Sequence, residues 1–465
     1  MALKNNSLLF FDWKVNHTAL ALAGKIWLLW LIFPLSIQAQ QVQTLTLDQA
    51  VKLGLEYSKM LKLSRGRLAT YEARTKQTKA AMIPVVSLNS SYTRLSNNIT
   101  PFTVAFPGAT EPLALNPQIL NQYNNSVSVS EPLFSGFRMK NAAESAKYLE
   151  RASQLDYEKD KSEVVLNIAN AYYNLYKIDA SRKLVQENIL QLNEQITNIQ
   201  NFEKQGLAIS NDVLRSQLLL SNIELSQIDV NNNFKVASYN LGIMLGLPTG
   251  TQIMVDTVTL FAPKTMESLD NYLQQAISNR KDLKAADMRS QSSLSNVAAA
   301  KSNYYPSIYL NASYLYNRPN ARVFPQQDQF KDTWAAGITL SYNLTNLFTN
   351  KNQVAEATSV ALQNQVQSDQ LSDNIRMEVN QNFLSMQQAH EKIEVAKRSV
   401  AQANENYRTT QSRYTNGVAL LTDLLDANVL RLQAQINYET ARADAELAYQ
   451  RLQKAIGADQ LTINN

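Results

Sequence analysis

The sequence contains no cysteine, only two histidines and little charge. The absence of cysteine from 465 residues excludes a disulfide framework, a thiolate metal site and a cysteine nucleophile. Neither His17 nor His390 stands in a pattern of metal ligands or catalytic partners. Charged residues make up 18% of the chain, and the net charge of +5 is not gathered in a basic cluster. We therefore expect no enzyme activity, no metal or cofactor, and no nucleic-acid partner.

The chain also lacks an apolar run long enough to span a membrane as a helix. Its most apolar stretch, Ile26–Ile37, covers twelve residues, which is too short for a hydrocarbon layer about 30 Å thick. Lysines precede this stretch, and Ala39 follows it as a small residue suited to cleavage. These features predict a signal peptide at 1–39. An uncleaved anchor helix is the alternative that the sequence leaves open.

Proline is absent from 133–247 and from 326–465, and glycine is scarce there. Since proline costs about 3 kcal/mol inside a helix, such stretches permit very long helices. Apolar residues step by three and four from Val164 to Ile199, with Arg182 as the one interruption. Similar stepping, with Arg431 in the series, runs through the last helix. These seams predict coiled-coil packing.

Each long helical stretch contains one break, at Gly206 and at Gly417. Glycine after a helix, with Asn, Thr or Asp before the next helix, predicts a helical hairpin. Residues 137–205 and 350–416 are therefore predicted as rising helices of about 100 Å, at 1.5 Å per residue. That length exceeds what a globular core needs.

The chain is a tandem repeat. Residues 47–92 map onto 269–314 with a constant offset of 222, and a helical stretch in each copy reaches a proline, Pro84 or Pro306. A repeat of this length predicts two similar structural units. The predicted domains are a first repeat at 42–248, a linker at 249–265 and a second repeat at 266–458.

Short segments of alternating polarity follow each proline. Val86 and Leu88 alternate with Ser87 and Asn89, and the same pattern recurs after Pro306. Weaker alternation covers 126–130 and 336–344. Such strands suit a small soluble sheet or part of a membrane barrel. Five aromatic residues lie at or beside the strands, as membrane-interface residues do: Tyr92, Tyr314, Tyr316, Trp334 and Tyr342.

Four strands cannot close a membrane barrel, because the smallest single-chain barrels use eight. Open sheet edges are not viable in lipid, so a membrane barrel would require several chains. Three chains would supply twelve strands. The fold class predicted is mainly helical, with a long α-helical barrel continuous with a 12-stranded β-barrel that a trimer forms.

The ordered motifs resemble the TolC-like outer-membrane efflux proteins across 42–458. The likeness rests on the duplicated helix–strand–strand–helix unit, on the segment 131–138, and on the similar segments 206–213 and 417–427. It implies a homotrimeric exit duct of a tripartite efflux or type I secretion system, set in outer-membrane lipid and extending into the periplasm. It also implies a periplasmic adaptor protein and an inner-membrane pump of RND or ABC type as partners.

The resemblance assigns candidate site residues. Asp423 and Asp426 lie three apart on one helix face, and the family's matching aspartates line the periplasmic mouth, where acidic rings can select cations. An aspartate in a first helical turn also complements the helix dipole, by about 0.3–1 kcal/mol, and this simpler role stays open.

Asp212 and Tyr414 match family positions that latch the mouth shut. The family's basic latch partner falls at Ala419, so one link is missing or rebuilt, with Arg413 and Lys204 as nearby candidates.

The hairpin tips, Gly206 with Leu207 and Gly417 with Val418, match the family's contact with the adaptor. They are also simple turns between helices. The second repeat lacks a glycine equivalent to Gly136, which leaves its strand-to-helix turn undefined.

Two other classes of protein fit parts of the sequence. A structural coiled-coil protein of the periplasm or surface explains the seams and the export signal, but not the strands or the duplication. An envelope glycan-active enzyme would need a pair of acid/base carboxylates, and none is evident.

Overall fold

The structure is a computed structural model that describes residues 42–98, 102–108, 110–114, 118–256 and 265–458. The predicted signal peptide and part of the predicted linker lie outside these ranges. The helices are α1 (Leu47–Tyr57), α2 (Lys59–Ala80), α3 (Arg138–Lys204), α4 (Ser210–Leu245), α5 (Leu269–Asn279), α6 (Lys281–Lys301), α7 (Asn346–Thr415) and α8 (Leu421–Ala455). The strands are β1 (Val42–Leu45), β2 (Val85–Arg94), β3 (Thr103–Val104), β4 (Leu113–Ala114), β5 (Asn121–Phe134), β6 (Gln252–Val255), β7 (Ser307–Asn317) and β8 (Lys331–Ser341).

The helical stretch before each proline is two helices, not one. The chain turns at Ser58, with φ −55° and ψ 118°, and at Arg280, with φ −53° and ψ 120°. These positions differ by the repeat offset of 222, so both copies bend at the same place. Because neither break contains proline or glycine, the sequence pattern did not reveal it.

The short helix α1 packs closely on α3. A side chain at Gly54 would place its Cβ only 2.2 Å from the Cδ1 atom of Ile168. Beside this contact, β1 pairs in parallel with β6, which lies in the predicted linker. The buried Tyr172 hydroxyl donates to the Leu45 and Asp256 carbonyls at 3.0 and 3.1 Å. One hydrogen-bonding side chain of α3 therefore anchors the ends of both strands in the main apolar core.

Four antiparallel strands form a sheet in the order β2, β5, β7, β8. The two long helices continue from it, since α3 follows β5 and α7 follows β8. Beside the sheet, neighbouring helices pack in the order α2, α3, α6, α7. Toward the hairpin ends, α4 replaces α2 and α8 replaces α6. The chain is thus a sheet that continues into one layer of helices.

The two strand-to-helix turns use different chemistry. After β5, Gly136 and Phe137 both have positive φ, 60° and 67°. A Cβ on Gly136 would also lie 2.5 Å from the carbonyl oxygen of Ser302, so glycine is required there. After β8, the Asn343 side chain accepts the Thr345 N–H at 3.1 Å, and α7 begins at Asn346. An asparagine turn therefore replaces the missing glycine, and α7 starts four residues earlier than predicted.

Both long helices match the predicted lengths closely, with 67 residues in α3 and 70 in α7. In the described ranges, no helix carries an apolar stretch that could cross a bilayer.

Candidate functional site

The ends of the two helical hairpins have the same backbone structure. Gly206 and Gly417 adopt φ of 73° and 72°. The N–H of Leu207 donates to the Phe202 carbonyl at 2.8 Å, and the N–H of Val418 donates to the Arg413 carbonyl at 2.9 Å. A hydrogen bond of this kind spans six residues around a glycine in the left-handed conformation and commonly ends a helix. The predicted hairpins are confirmed in both repeats.

Apolar side chains project from both hairpin ends. Leu207 and Val418 are exposed to 73% and 64% of their surface, and the neighbouring Ile209 and Leu420 to 64% and 70%. The candidate contact residues Leu207 and Val418 therefore belong to a set of four, which we call the tip surface. Sequence reasoning did not select Ile209 and Leu420 for this role, although each lies two positions after its selected partner.

A cleft of about 570 Å³ separates the two hairpin ends. Asp212 and Tyr414, which the sequence proposed as latch residues, both line it, and they come from different hairpins. Ala419 lines the same cleft. The candidates Arg413 and Lys204 do not belong to the described lining. The structure thus brings together the aspartate and the tyrosine of the expected latch.

Tyr414 occupies a half-buried position between two apolar clusters, one of them built around Leu192 and the other around Leu424. Burial raises the pKa of its hydroxyl, and the nearby Asp212 carboxylate raises it further. The hydroxyl therefore stays protonated at neutral pH. It remains a hydrogen-bond donor that a carboxylate in the cleft can use.

Arg215 is a cleft residue that sequence reasoning missed. It lies one helical turn after Asp212 on α4, and it is the only cation among the described residues that line the cleft, as Asp212 is the only acid. The i, i+3 spacing of these two residues was visible in the sequence. The sequence indicates Arg413 and Lys204 only as nearby candidates, and nothing in it selects either of them.

Asp423 and Asp426 both lie exposed near the start of α8. The Asp423 carboxylate accepts the N–H of Leu420 at 3.4 Å, a long hydrogen bond, so part of its role is to cap the helix. Asp426 lies one turn further on, where capping does not explain an acid. Their neighbours Leu424 and Leu425 are buried, so the two carboxylates share the solvent side of the helix.

A buried polar pair fixes the register of α8 against α3. The Asn188 and Asn428 side-chain amides bond each other at 2.9 and 3.3 Å. One turn further along α8, the Arg431 guanidinium lies 3.7 Å from the Tyr407 ring centroid of α7 and donates to Gln191 of α3. The seam residue Arg431 thus joins three helices close to the hairpin ends.

The four-stranded sheet has one apolar and one polar face. In the strand register, Leu88, Val127 and Tyr314 lie side by side on one face, and Ser87, Ser128 and Ser313 lie side by side on the other. The apolar face continues onto β8 through Ile338 and Leu340. Both side chains are more than 65% exposed. A lone chain therefore presents a broad apolar face to solvent.

Four of the five candidate interface aromatics lie on the apolar face toward the loop end of the sheet. Tyr314 faces Trp334 across β7 and β8, and Tyr316 stacks on Phe330 with centroids 5.0 Å apart. Tyr92 packs beside Tyr123. Tyr342 lies at the opposite end, beyond β8, where its hydroxyl donates to the Tyr304 carbonyl at 3.3 Å. Exposed aromatics missed by sequence reasoning, Phe137, Tyr305 and Phe348, lie near that end.

A sheet with one apolar face, continued by helices of about 100 Å, defines a membrane-barrel subunit with a long extramembrane helical part. Comparison with known proteins gives the family. A family model described as outer membrane efflux protein matches residues 51–247 and 272–458. The chain belongs to this family.

Similar proteins agree with this assignment. Outer membrane protein TolC of Vibrio cholerae is 21% identical over 408 residues, which cover 86% of this chain and 87% of that protein. Toxin and drug export protein A of Aggregatibacter actinomycetemcomitans is 24% identical over 324 residues, 69% of either chain.

Solved structures share the fold. The outer membrane protein VceC of Vibrio cholerae superposes with a TM-score of 0.74 at 18% identity, covering 88% of this chain and 96% of that one. The outer membrane channel CmeC of Campylobacter jejuni gives 0.72 at 15% identity, covering 98% and 94%.

The protein is accordingly an outer-membrane exit duct of an efflux or secretion system that extends into the periplasm, and it conducts substrates instead of converting them. A structural coiled-coil protein, the main rival class, accounts for neither the family match nor the apolar sheet face.

Adjacent positions of β5 test the assignment of the two faces. We expect Val127→Lys to block assembly in the outer membrane, because a cation at the lipid-facing midplane costs about 2–4 kcal/mol. Ser128→Lys places the same charge on the polar face and should assemble normally. The measurement is the amount of each variant in outer-membrane fractions after urea washing. Equal recovery of the two variants would contradict the assignment.

Proposed function

We propose that the duct is a homotrimer whose twelve strands form one closed barrel. The observation that carries this proposal is the open sheet. β2 and β8 are its outer strands, each hydrogen-bonded on one side only within the described sheet, and all ten residues of β2 are exposed. Unpaired edges cannot persist in lipid. Pairing β8 of one copy with β2 of the next removes every edge.

The helices carry matching open edges. α4 has a buried apolar stripe that includes Ile223 and Leu241, and a second, exposed stripe. The exposed stripe follows the helical spacing of three and four residues, or sums of these steps. It consists of Leu214, Leu218, Leu225, Ile228, Val236, Tyr239 and Ile243. At the other side of the chain, α7 exposes Leu362, Val366, Met377, Leu384 and Val395. We propose that α7 packs on α4 of the next copy. The first repeat, 42–248, then supplies one edge of each chain, and the second repeat, 266–458, supplies the other. A linker at 249–265 joins the two repeats.

The trimer is tested by the native mass of the protein extracted from membranes, with bound detergent subtracted. We expect three times the mass of one mature chain, because three four-stranded sheets make a barrel of twelve strands. Removal of the detergent should cause aggregation, since the apolar face is then uncovered. A monomer or dimer that stays soluble without detergent would rule out the proposal.

At the periplasmic end, we propose that Asp423 and Asp426 of three copies form two acidic rings at the mouth. Two observations support this role. Both carboxylates are on the solvent side of α8, and Asp426 lies beyond the turn that capping serves. Rings of carboxylates favour cations at a constriction.

We further propose that Asp212, Tyr414 and Arg215 hold the two hairpins together and keep the mouth narrow. Arg215 supplies the cation that the family places at the position of Ala419. The support is the shared cleft, where Tyr414 and Arg215 both belong to the described lining and Asp212 is the only acid in it.

This latch predicts a charge-swap result in single-channel recordings. Arg215→Glu should raise the conductance several-fold, because it removes the cation beside Asp212 and leaves two acids on one hairpin to compete for the single hydroxyl that Tyr414 donates from the other. Adding Asp212→Arg should restore the low conductance, because the cleft then again holds one cation and one acid that can accept from the Tyr414 hydroxyl. Arg413→Glu and Lys204→Glu are matched controls at the same tips and should change little. Equal effects of all three reversals would show a general charge effect and reject the latch.

The same recordings separate the rings from the latch. Asp423→Asn with Asp426→Asn should abolish any preference for potassium over chloride in a salt gradient, while the conductance stays near its original value. Arg215→Glu should leave that preference intact. If the double variant keeps its cation preference, the rings are not the selective element.

We propose that the tip surface, including Gly206, Leu207, Gly417 and Val418, binds a periplasmic adaptor that links the duct to an inner-membrane pump of RND or ABC type. Four exposed apolar side chains at two identical turns support this role, because exposed apolar patches on soluble parts of proteins mark interaction sites.

The tip surface is tested by Leu207→Asp combined with Val418→Asp. We expect cells carrying this variant to lose export, since a carboxylate opposes burial of the tips, while the purified trimer keeps its mass and conductance. Leu294→Asp, an exposed apolar position on α6, which has neighbouring helices on both sides within the chain, is the control and should retain export. Normal export by the tip variant would exclude the proposed contact.

A further inference from the structure

Arg182 is the one residue that interrupts the apolar seam of α3, and neither the duct nor its gate accounts for it. Its guanidinium lies 4.7 Å from the centroid of the Phe234 ring on α4. Its Nε and Nη2 atoms donate to Asp179 Oδ1 at 3.0 and 2.7 Å. One edge of the guanidinium is therefore held by an acid, and one face by an aromatic ring.

The charges around Arg182 do not balance. Asp179 is buried, with 2% of its side chain exposed, and its second oxygen binds Lys183 Nζ at 2.8 Å. One carboxylate thus serves two cations. A partly buried cation with incomplete charge compensation attracts an anion, and a guanidinium is well shaped to bind carboxylate or phosphate.

Arg182 borders a cleft of about 430 Å³ between α3, α4 and the turn that precedes β6. Lys235 supplies a second cation, and none of the described lining residues is acidic. The remaining lining residues are Asn231, Phe234, Ser238, Tyr239, Gly250, Thr251 and Gln252. The cleft therefore combines two positive charges with several neutral hydrogen-bonding groups.

The hydroxyl of Ser238 joins the wall of the cleft to β6. Its oxygen accepts the N–H of Ile253 at 2.8 Å, and the residue is buried. The amides of Asn231 and Gln252 and the hydroxyl of Thr251 line the cleft and suit the hydroxyl groups of a sugar. The volume falls within the range of about 300–1,000 Å³ found for small-molecule sites.

We propose that this cleft binds a sugar-sized, hydroxylated ligand that carries a carboxylate or a phosphate. Arg182 and Lys235 hold the anionic group, and Asn231, Thr251 and Gln252 contact the hydroxyls. The site lies 24 residues from Gly206, about 36 Å along the helix at 1.5 Å per residue. It is separate from the mouth and does not rest on the proposed function.

Calorimetric titration of the detergent-extracted protein tests the site. The probes are glucuronate, glucose 6-phosphate, inorganic phosphate and neutral glucose. We expect one or both anionic sugars to bind at least tenfold more tightly than glucose and inorganic phosphate. Binding of glucuronate alone would indicate a carboxylated glycan as the source, and binding of glucose 6-phosphate alone would indicate a sugar phosphate. Equal affinity for all anions, or no heat from any, would overturn the proposal.

Two lysines make a matched pair of variants for this titration. Lys235→Gln should weaken binding of the anionic sugar at least tenfold, because it removes a charge that lines the cleft. Lys183→Gln removes a charge from the same region, but Lys183 does not line the cleft, so affinity should change less than twofold. Equal losses of affinity in the two variants would show that binding depends on general surface charge and would overturn the proposal. Both variants replace a lysine by a neutral side chain of similar length and remove none of the apolar side chains of the α4 stripe, so native mass and conductance should be unchanged whatever the binding result.

Discussion

Backbone N–H and C=O groups along the open sides of β2 and β8 would find no water inside a bilayer, where each unsatisfied group costs several kcal/mol. The other features of the chain are arranged around this constraint. The sheet has only four strands, so its edges must be paired by other copies. The helical layer also has uncovered edges, because α4 and α7 expose apolar stripes at the two sides of the chain. The edges of the sheet and of the helical layer fall on the same sides, so one interface between copies satisfies both.

Large-scale features were predictable because they depend on short-range chemistry. The offset of 222, the proline-free stretches and the glycines at 206 and 417 led to the repeats, the long helices and the hairpins. The sequence did not reveal the breaks at Ser58 and Arg280, where no proline or glycine interrupts the helix. At Ser58 the cause is tertiary, because α1 approaches α3 so closely that a Cβ at Gly54 would meet the Ile168 side chain. Arg215 was missed for a similar reason, since only the packing of two hairpins shows which cations face the cleft.

The polar residues in the helical seams have different roles. Asn188 and Asn428 are buried and bond each other through their side-chain amides, which suits the fixing of register, since a slip of one residue would break both of these bonds. Arg431 joins three helices near the tips through Gln191 and Tyr407. Arg182 differs from both, because its acid is shared with Lys183 and its surroundings form an open cleft. In sequence all three kinds of interruption look alike. Only the partners of each side chain separate a structural role from a binding role.

The placement of the proposed latch within one chain has a mechanical consequence. Asp212 and Arg215 belong to one hairpin and Tyr414 to the other hairpin of the same protomer, whereas the proposed seams between protomers run along α4, α7 and the sheet edges. The two hairpins can therefore separate at the cleft without unpairing β2 from β8 of the next copy. About 100 Å of helix lies between the cleft and the sheet. In the proposed trimer, a small change of angle near the Asn188–Asn428 pair would widen the mouth, and the strands, whose backbone bonds cannot be broken in lipid, would stay paired throughout.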